Sequence, residues 1–243
     1  MITSLINYLL HEFSYTQVYL LTVIYFIVLY FGVGKLFLMG CNYLAKRGIV
    51  QQIILTDNAH KNQLFEIKHS LKSIVVFGFS GVAMVYFIRI NIVQLLPETL
   101  VNTIMGIVIL TLYNELHFYL IHKLLHIPVL YGSIHKIHHQ SKTPTVHSVY
   151  SFHWVEALLL STVPITIAPF YTFSATALFI YPLASILLNF AGHCNYRFGN
   201  GLGDSWKLFS TRHAQHHYKN SKKFGFALNI FDKLFLIDKT TKP

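Results

Sequence analysis

The segment VEALLLSTVPITIAPFYTFSATALFIYPLASILLNF, residues 155–190, determines on which side of the molecule the second half of the chain ends. It is 36 residues long and almost wholly apolar, whereas one crossing of a bilayer core takes about 20 residues. Pro164, Pro169 and Thr172 interrupt it near the middle, and proline breaks or kinks a helix interior. We therefore predict a helical hairpin that enters a bilayer and returns to its starting side, although each arm is short for a complete crossing.

The remaining sequence has the composition of a membrane protein. Of the 243 residues, 53% are hydrophobic and 12% are charged, and this charged share is about half that of a soluble domain. Three further apolar runs, each long enough for a membrane-spanning helix, precede the hairpin at 18–39, 74–96 and 100–116. We predict an all-α integral membrane protein with about four transmembrane helices, to which 155–190 contributes two spans or a hairpin. Residues 1–243 are predicted to form one domain.

The basic residues predict how the chain is oriented. The formal net charge is +10, and most of the lysines and arginines lie outside the apolar runs, which indicates membrane orientation and not nucleic-acid binding. Residues 40–72 and the polar segments after residue 116 carry them, whereas residues 91–99 carry none. The positive-inside rule then places the N-terminus outside and the histidine-rich segments, as a helical cap, in the cytoplasm. The expected membrane is a bacterial inner membrane or the endoplasmic reticulum.

Histidine is concentrated in one part of the chain, because 12 of its 15 copies lie between residues 117 and 217. The clusters are HFYLIHKLLH (117–126), HKIHH (135–139) and HAQHH (213–217), with His153 in FHWVE and His193 in GHC. Histidines three or four residues apart share a helix face, and the hairpin brings all the clusters to one side of the membrane. So many neutral imidazoles would each need partners for two ring nitrogens, and protonated ones would repel one another. We therefore predict metal binding.

The ligand types indicate which metal is bound. The clusters contain no cysteine, which excludes a thiolate zinc site or an iron–sulfur cluster, and imidazole suits zinc, iron, copper and nickel. The histidines exceed the coordination sphere of one ion and suit two ions with four or five nitrogen ligands each. We predict two iron ions that activate dioxygen, which zinc would replace in some purified material. The predicted ligands are His122, His126, His135, His138, His139, His153, His193, His213, His216 and His217.

Other titratable residues in this region have less specific patterns. Glu115 and Glu156 are candidates for the catalytic machinery, where each would accept a hydrogen bond from a ligand imidazole and so orient it. A buried ion pair is the alternative for both. His117 and His147 are open as additional ligands. The isolated histidines are predicted to be surface or hydrogen-bonded residues: His11, His60, His69 and His147.

The order and spacing of these motifs resemble the fatty acid hydroxylase superfamily, which contains the sterol desaturases and C-4 methyl sterol oxidases. The residues that carry the resemblance are Glu115, Tyr119, His122, Lys123, His126, Tyr131, His135, Lys136, His138, His139, Phe152, His153, Glu156, His213, His216, His217 and the closing FDKLF at 231–235. They define a catalytic region over residues 110–238. The resemblance implies a membrane di-iron oxygenase that uses O₂ and two electrons to hydroxylate or desaturate a C–H position of a lipid, such as a sterol or a fatty acyl chain. Lys123 stands where the family more often has arginine, and this departure concerns the subfamily and not the metal site.

Electron supply and substrate access are further expectations. One branch of the family carries a fused haem-binding domain, for which the short N-terminal segment leaves no room. We therefore expect a separate electron donor, a cytochrome b-type or ferredoxin-type carrier. A groove between the hairpin and the third span would admit the lipid. Its candidate lining residues, for which membrane anchoring or packing is the alternative, are Phe152, Trp154, Phe170, Tyr171, Phe190 and Trp206.

Three other functions fit parts of the same pattern. Acyl-lipid desaturases also use histidine boxes, although their spacing is less like the FHWVE and FDKLF motifs of this chain. A membrane metal transporter would need polar or ionisable ligands near the middle of the bilayer, and the predicted spans have almost none. A metal-binding scaffold protein would use the histidines without catalysing a reaction. The oxygenase is the favoured interpretation.

Overall fold

The computed structural model describes residues 2–55, 62–198, 209–219, 223–228 and 230–235, most of which are helical. In chain order the α-helices are α1 (Ile2–His11), α2 (Tyr15–Ile27), α3 (Gly34–Lys46), α4 (Gln63–Arg89), α5 (Leu100–Leu125), α6 (Pro128–Ser133), α7 (Trp154–Leu160), α8 (Val163–Ile167), α9 (Ala175–His193), α10 (Phe209–Lys219) and α11 (Ile230–Phe235). A π-helical stretch (Val28–Val33) joins α2 to α3, and 3₁₀ helices occupy His135–Gln140 and Val146–Tyr150. Two short strands, β1 (Val50–Gln52) and β2 (Tyr196–Phe198), pair antiparallel.

Within the part of the chain that the structure describes, four helical segments are long and apolar enough to cross a membrane. They are Tyr15–Lys46, Gln63–Arg89, Leu100–Leu125 and Ala175–His193. This confirms the predicted all-α membrane fold with about four transmembrane helices. The third segment, α5, continues past the predicted end of its span, so that His122 lies in its last turn and His126 forms its C-cap. The first histidine cluster is therefore built on the extension of a membrane span.

The second span starts and ends earlier than predicted. Hydropathy indicated residues 74–96, whereas α4 begins at Gln63 and ends at Arg89. The early turns of α4 carry Glu66 and Ser70, which are polar but fully buried. Thr145 Oγ1 donates a hydrogen bond to Glu66 Oε2 over 2.6 Å, and such partners allow polar residues to face the core. A hydropathy pattern reads these turns as loop because it does not register their tertiary partners.

Arg89 ties the end of α4 to the N-terminal segment. Its Nε donates to the carbonyl oxygen of Leu10 over 2.6 Å, and its Nη2 donates to that of Phe13 over 2.5 Å. Its guanidinium carbon also lies 4.9 Å from the centre of the Tyr15 ring, a cation–π contact. The charge at this end of the helix is thus paired with carbonyls left free where α1 ends and α2 begins.

The predicted hairpin is present, with two unequal arms. The incoming arm is the pair of short helices α7 and α8, and the outgoing arm is α9. The connection between the arms lies beside the turn that joins α4 to α5, where the Leu96 N–H donates to Phe173 O over 2.9 Å. The Glu98 carboxylate accepts from the N–H groups of Ala175 and Thr176, where an anion also complements the helix dipole. The hairpin therefore reaches the end of the bundle opposite to its starting point before α9 returns.

The two strands lie at the end to which α9 returns. β2 follows His193 by three residues, and its pairing with β1 places Val50 opposite Phe198. The Ile53 N–H donates to Asn195 O over 3.0 Å and extends the pairing. The connection between α3 and α4 thus lies at the same end of the bundle as the histidine clusters.

Glycine allows the spanning helices to approach closely. A Cβ on Gly78 of α4 would lie 2.5 Å from Tyr19 Cε2 of α2, and a Cβ on Gly106 of α5 would lie 2.6 Å from Ala177 Cβ of α9. Small residues at such crossings favour helix packing inside membranes, where hydrophobicity alone does not drive association. The α5–α9 contact sets the spacing of two helices that both end in histidines.

Candidate metal centre

Nine histidines from four elements converge at one end of the bundle. They are His122 and His126 from α5 and its C-cap, His135, His138 and His139 from the first 3₁₀ helix, His193 from the end of α9, and His213, His216 and His217 from α10. Eight of the nine side chains are buried and His126 is half-buried. Residues far apart in sequence therefore meet because α5 and α9 end at the same level.

The nine histidines divide into two groups, each of which offers one nitrogen per ring within 4.8 Å of the others. The five-histidine group contains His122, His126, His135, His139 and His216. The four-histidine group contains His138, His193, His213 and His217. The two groups adjoin, since the rings of His139 and His217 stack with their centres 4.8 Å apart. Two ions held in these groups would be neighbours.

Within each group the Nε2 atoms face one another. In the five-histidine group, His126 Nε2 lies 3.3 Å from His122 Nε2 and 3.1 Å from His216 Nε2. In the four-histidine group, His193 Nε2 lies 3.3 Å from His138 Nε2 and 3.1 Å from His213 Nε2. The ring nitrogens of each group thus converge on a common centre.

The H-x-x-H-H motifs serve both groups at once. His135 and His138 lie three residues apart in a 3₁₀ helix and their ring centres are 5.5 Å apart, but the two rings belong to different groups. His135 pairs with His139 at an Nε2–Nε2 distance of 3.1 Å, while His138 joins the other group. In α10 the spacing divides in the same way, since His213 and His217 belong to the four-histidine group and His216 does not. Each motif therefore crosses the boundary between the groups.

Hydrogen bonds at the opposite ring nitrogen orient three of the nine histidines, and in two of these they also fix the tautomer. His122 Nδ1 donates to Phe224 O over 2.9 Å, and His193 Nδ1 donates to Asn189 O over 3.0 Å. His135 Nδ1 lies 2.8 Å from Glu156 Oε1. A carbonyl oxygen can only accept, so in the first two rings the proton is on Nδ1 and the Nε2 lone pair points into the group. This is the arrangement in which outer hydrogen bonds orient metal-binding imidazoles.

The electrostatics favour neutral rings. Burial is the main cause that lowers the pKa of His126 to about 3, and the neighbouring imidazoles His135 and His216 add to it. Burial also lowers the pKa values of His138 and His213 well below the usual range, again reinforced by neighbouring histidines. Neutral rings whose lone pairs converge at little more than 3 Å repel one another unless a cation lies between them. The donor set is all imidazole, which suits iron, zinc, copper or nickel, so the residues fit two transition-metal ions.

Glu115 does not contact an imidazole, which corrects its predicted role. Its carboxylate accepts from the backbone N–H groups of Ala227 and Leu228, each at 3.0 Å. In the same segment, Asp232 accepts from the N–H groups of Phe224 and Gly225 at 2.8 and 3.1 Å. Together the two carboxylates hold residues 223–228 in place. The Phe224 carbonyl is then positioned to accept from His122, so both act on the five-histidine group through the backbone.

Asp232 and Asn189 were not identified from the sequence as site residues. The sequence offered a reason to single out Asp232 in FDKLF, because the chain has only nine acidic residues. Its partners are backbone N–H groups, however, and no residue pattern reveals them. The group that accepts from His193 is the backbone carbonyl of Asn189. Every residue type has such a carbonyl, so no sequence motif could identify it.

His153 is not part of either group, contrary to its prediction as a ligand. Its Nδ1 accepts from the Val155 N–H over 3.3 Å, so the side chain is the N-cap of α7. The capping conformation turns the half-buried ring toward Trp154, with ring centres 5.6 Å apart. Three residues further on, Glu156 faces inward and bonds to His135. The two residues of the F-H-x-x-E motif therefore have separate roles.

The histidines left open from the sequence also lie outside both groups. His117 Nε2 is 3.0 Å from Thr162 Oγ1, and His69 Nδ1 is 3.0 Å from Phe65 O. His11 is exposed at the end of α1. The backbone carbonyl of His147 accepts from the hydroxyl groups of Tyr30 and Ser70. His60 lies outside the described residues.

Most of the aromatic residues predicted to line a groove do not line one. Trp154, Phe170 and Tyr171 are exposed on the surface of the hairpin. Phe190 is fully buried against α3, where its ring leaves room only for Gly34. Trp206 lies outside the described residues. The exposed positions suit membrane anchoring and the buried position of Phe190 is core packing, which were the alternatives to a groove.

A partly open cavity of about 580 Å³ lies between the spanning helices. Residues of α1, α2, α4, α5, the hairpin and α9 line it, and most of them are apolar. At one end it is bounded by Phe118 and Phe152, whose ring centres lie 4.9 Å from His122 and 4.8 Å from His138. Of the predicted groove residues, Phe152 therefore lines the cavity where it approaches the two histidine groups.

Comparisons with known proteins cover the half of the chain that contains the histidines. The segment is 28% identical over 133 residues to human fatty acid hydroxylase domain-containing protein 2, a match that covers 54% of this chain and 38% of the relative. It is 27% identical over 147 residues to rat lathosterol oxidase, covering 57% of this chain and 46% of the relative. The chain thus spans less than half the length of these curated relatives, and no solved structure matches it. The family model for fatty acid hydroxylase matches residues 107–236, more than half of the chain, and the protein therefore belongs to the fatty acid hydroxylase family.

Proposed function

We propose that this protein is a membrane-bound di-iron oxygenase that hydroxylates or desaturates an unactivated C–H position of a lipid. The observation that carries the proposal is the position of the two adjoining histidine groups at the end of a largely apolar cavity within the membrane-spanning helices. Two bound iron ions would supply the redox chemistry with O₂ that breaking such a C–H bond requires. Relatives named as fatty acid hydroxylase and lathosterol oxidase support a lipid substrate.

The residues of the chain have three tasks in this reaction. The nine histidines hold the ions, and Glu156 keeps the His135 ring turned toward its group. The apolar cavity excludes water and holds the lipid, so that one carbon lies between Phe118 and Phe152 beside the ligand rings. Binding energy along the chain of the lipid thus restricts which C–H bond reaches the metal groups.

The electrons would come from a separate protein. Because both groups lie at one end of the bundle, a cytochrome b-type or ferredoxin-type carrier would dock on that end, which we place in the cytoplasm from the distribution of lysine and arginine. This end carries β1, β2 and the 3₁₀ helices in addition to the histidines.

The first test is the metal content of the detergent-purified chain, produced with iron and zinc both available. The wild type is expected to hold about two irons per chain. His138→Ala and His216→Ala remove one ligand from each group, and each is expected to lower metal content. His117→Ala is the matched control, since His117 is buried nearby but lies outside both groups.

Outcomes of this test separate the candidate functions. Two irons that depend on both groups would justify a search for the product, in which lipids from cells supplied with ¹⁸O₂ are examined for a mass increase from one oxygen atom or a loss of two hydrogens. One ion or none, unaffected by either substitution, would contradict the di-iron site. Bound metal without any altered lipid would favour a transporter or a scaffold.

A further inference from the structure

Some of the polar side chains that line the cavity already have a hydrogen-bond partner within their own helix. Thr22, Ser80 and Ser161 each donate their hydroxyl hydrogen to a carbonyl oxygen of the same helix, at 2.8, 2.7 and 2.8 Å. Such back-bonding satisfies the donor inside an apolar space without any ligand. These three hydroxyl groups therefore add little polarity to the lining of the cavity.

Asn114 and Tyr150 differ from these residues. Both line the cavity and are 7% exposed, and their side chains hydrogen-bond to none of the residues that the structure describes. An amide or hydroxyl buried in an apolar site without a partner is destabilising, because it has lost its hydrogen bonds to water. Asn114 and Tyr150 both face the cavity without such a partner. This indicates that a ligand bound in the cavity supplies their hydrogen bonds.

The position of Asn114 in α5 gives the depth of its amide group in the cavity. Asn114 lies eight residues before His122 in α5, which is about 12 Å along the helix at 1.5 Å per residue. Ser185 lies eight residues before His193 in α9, at the same calculated depth. Beyond this level, toward α1 and the end of α4, the lining is aliphatic: Leu9, Leu10, Val18, Met84, Val85 and Ile88.

The charge of the lining restricts the ligand. None of the described lining residues is Asp, Glu, Lys, Arg or His. A carboxylate or phosphate taken into this space would lose its hydration without gaining an ionic partner, which costs far more than burying a neutral group. The polar group that meets Asn114 and Tyr150 is therefore neutral. A hydroxyl suits both, since the amide and the phenol can each donate and accept.

We propose that the cavity binds an amphipathic lipid whose uncharged hydroxyl is held by Asn114, about 12 Å along α5 from His122, and by Tyr150. The apolar remainder of the lipid fills the cavity on both sides of this anchor. The distance from anchor to ligands then selects the carbon that is oxidised, which rests on the function proposed above; the binding itself does not depend on it. Lipids with an ionised head group are not expected to enter as far.

The test is direct binding to the intact, metal-loaded protein in lipid nanodiscs, under nitrogen and without an electron donor, so that no turnover occurs. The probes are hexadecan-1-ol, hexadecane and palmitate, which share one chain length and differ in the end group. The variants are Asn114→Leu, which keeps the volume, and Tyr150→Phe, which removes one oxygen atom. Ser161→Ala is the matched control, because this lining hydroxyl already has a partner.

The wild type and Ser161→Ala are expected to bind the alcohol about tenfold more tightly than the alkane, as one buried hydrogen bond allows. Asn114→Leu and Tyr150→Phe are expected to lose most of that preference, while their affinity for hexadecane and their metal content stay unchanged. Equal binding of alcohol and alkane by the wild type, including no binding of either, would overturn the anchor. So would an undiminished preference in both variants, or palmitate bound as tightly as the alcohol.

Discussion

Glu156 shows how a residue without a metal contact shapes the site. Its Oε1 is 2.8 Å from His135 Nδ1, the residue is buried, and the structure describes no partner for Oε2. A carboxylate behind an imidazole orients the ring and raises its basicity, and losing it typically weakens metal binding 10- to 100-fold. The effect should be confined to the five-histidine group, to which His135 belongs.

We expect Glu156→Ala to weaken one of two bound ions by about 10- to 100-fold and to leave the other nearly unchanged. Glu156→Gln keeps an acceptor oxygen and should lose much less. Competition with a chelator of known affinity, followed by metal analysis of the protein, measures both sites. Equal weakening of the two ions would mean that Glu156 acts on the fold as a whole.

His153 leads to the opposite prediction. As the N-cap of α7 it contributes to stability and not to metal binding, so His153→Ala should leave the metal content intact and cost about 1 kcal/mol. His153→Asn should retain the stability, because asparagine is among the best N-cap residues. Thermal unfolding and metal analysis of the two variants check this. Loss of an ion in either variant would restore His153 as a ligand.

The difference between these two residues shows what the motifs could predict. Spacing identified His138 and His216 as metal-site candidates, because imidazoles at such density have few other uses. It did not assign each ring to a group, since even the rings of His135 and His138, whose centres are 5.5 Å apart, belong to different groups. It misjudged Glu115, because the partners of that carboxylate are backbone N–H groups from a segment more than 100 residues away.

The contact between α5 and α9 fixes the relative position of two helices that deliver ligands. Adding one methyl group at Gly106 would place a Cβ 2.6 Å from Ala177 Cβ, so the helices must separate. Overpacking of this kind usually costs about 1–3 kcal/mol. Because α9 ends at His193, a shift of α9 would also disturb the four-histidine group.

We therefore expect Gly106→Ala to lower the thermal stability and to reduce metal occupancy. Gly40→Ala is the matched control, since a Cβ there would meet nothing within 4 Å and alanine favours the helix by up to about 1 kcal/mol. Thermal unfolding of both variants in the same detergent gives the comparison. A Gly106→Ala protein as stable as the control would show that α5 and α9 can repack without loss.

Helices were predictable where hydropathy is uniform and less so where tertiary contacts decide. The span within α5 followed from an uninterrupted apolar run, and the hairpin followed from length and two prolines. The start of α4 did not, because Glu66 and Ser70 are polar residues that the fold buries with partners. The cavity was also beyond prediction, since it is lined by residues of eight elements that no single motif connects.

The overall arrangement places chemistry at one end of the bundle and leaves the other end apolar. The returning α9 is essential to this, because a single crossing after α7 would separate His135 and His139 from the histidines of α10. The same return sets one end of the cavity against the ligand rings and leaves its other end near α1 and Arg89. A lipid could thus be held lengthwise while only one part of it meets the metal groups.

The distribution of lysine and arginine predicts how the bundle is oriented in a membrane, and two exposed positions allow a test. Leu55 follows β1 at the histidine end, and Phe170 lies near the hairpin connection at the opposite end; they are 85% and 88% exposed. The positive-inside rule predicts that the histidine end faces the cytoplasm. Both native cysteines, Cys41 and Cys194, are buried, so single cysteines introduced at the two exposed positions form a matched pair with little background.

In intact cells of a bacterial host, a membrane-impermeant maleimide is expected to label Phe170→Cys and to leave Leu55→Cys unlabelled. Leu55→Cys should become reactive only after the cells are broken, and that step is also the control for its accessibility. Labelling of Leu55→Cys in intact cells would place the histidine end outside. The electron donor would then have to reach the protein from the opposite side of the membrane, and a cytoplasmic ferredoxin-type or cytochrome b-type carrier would no longer fit.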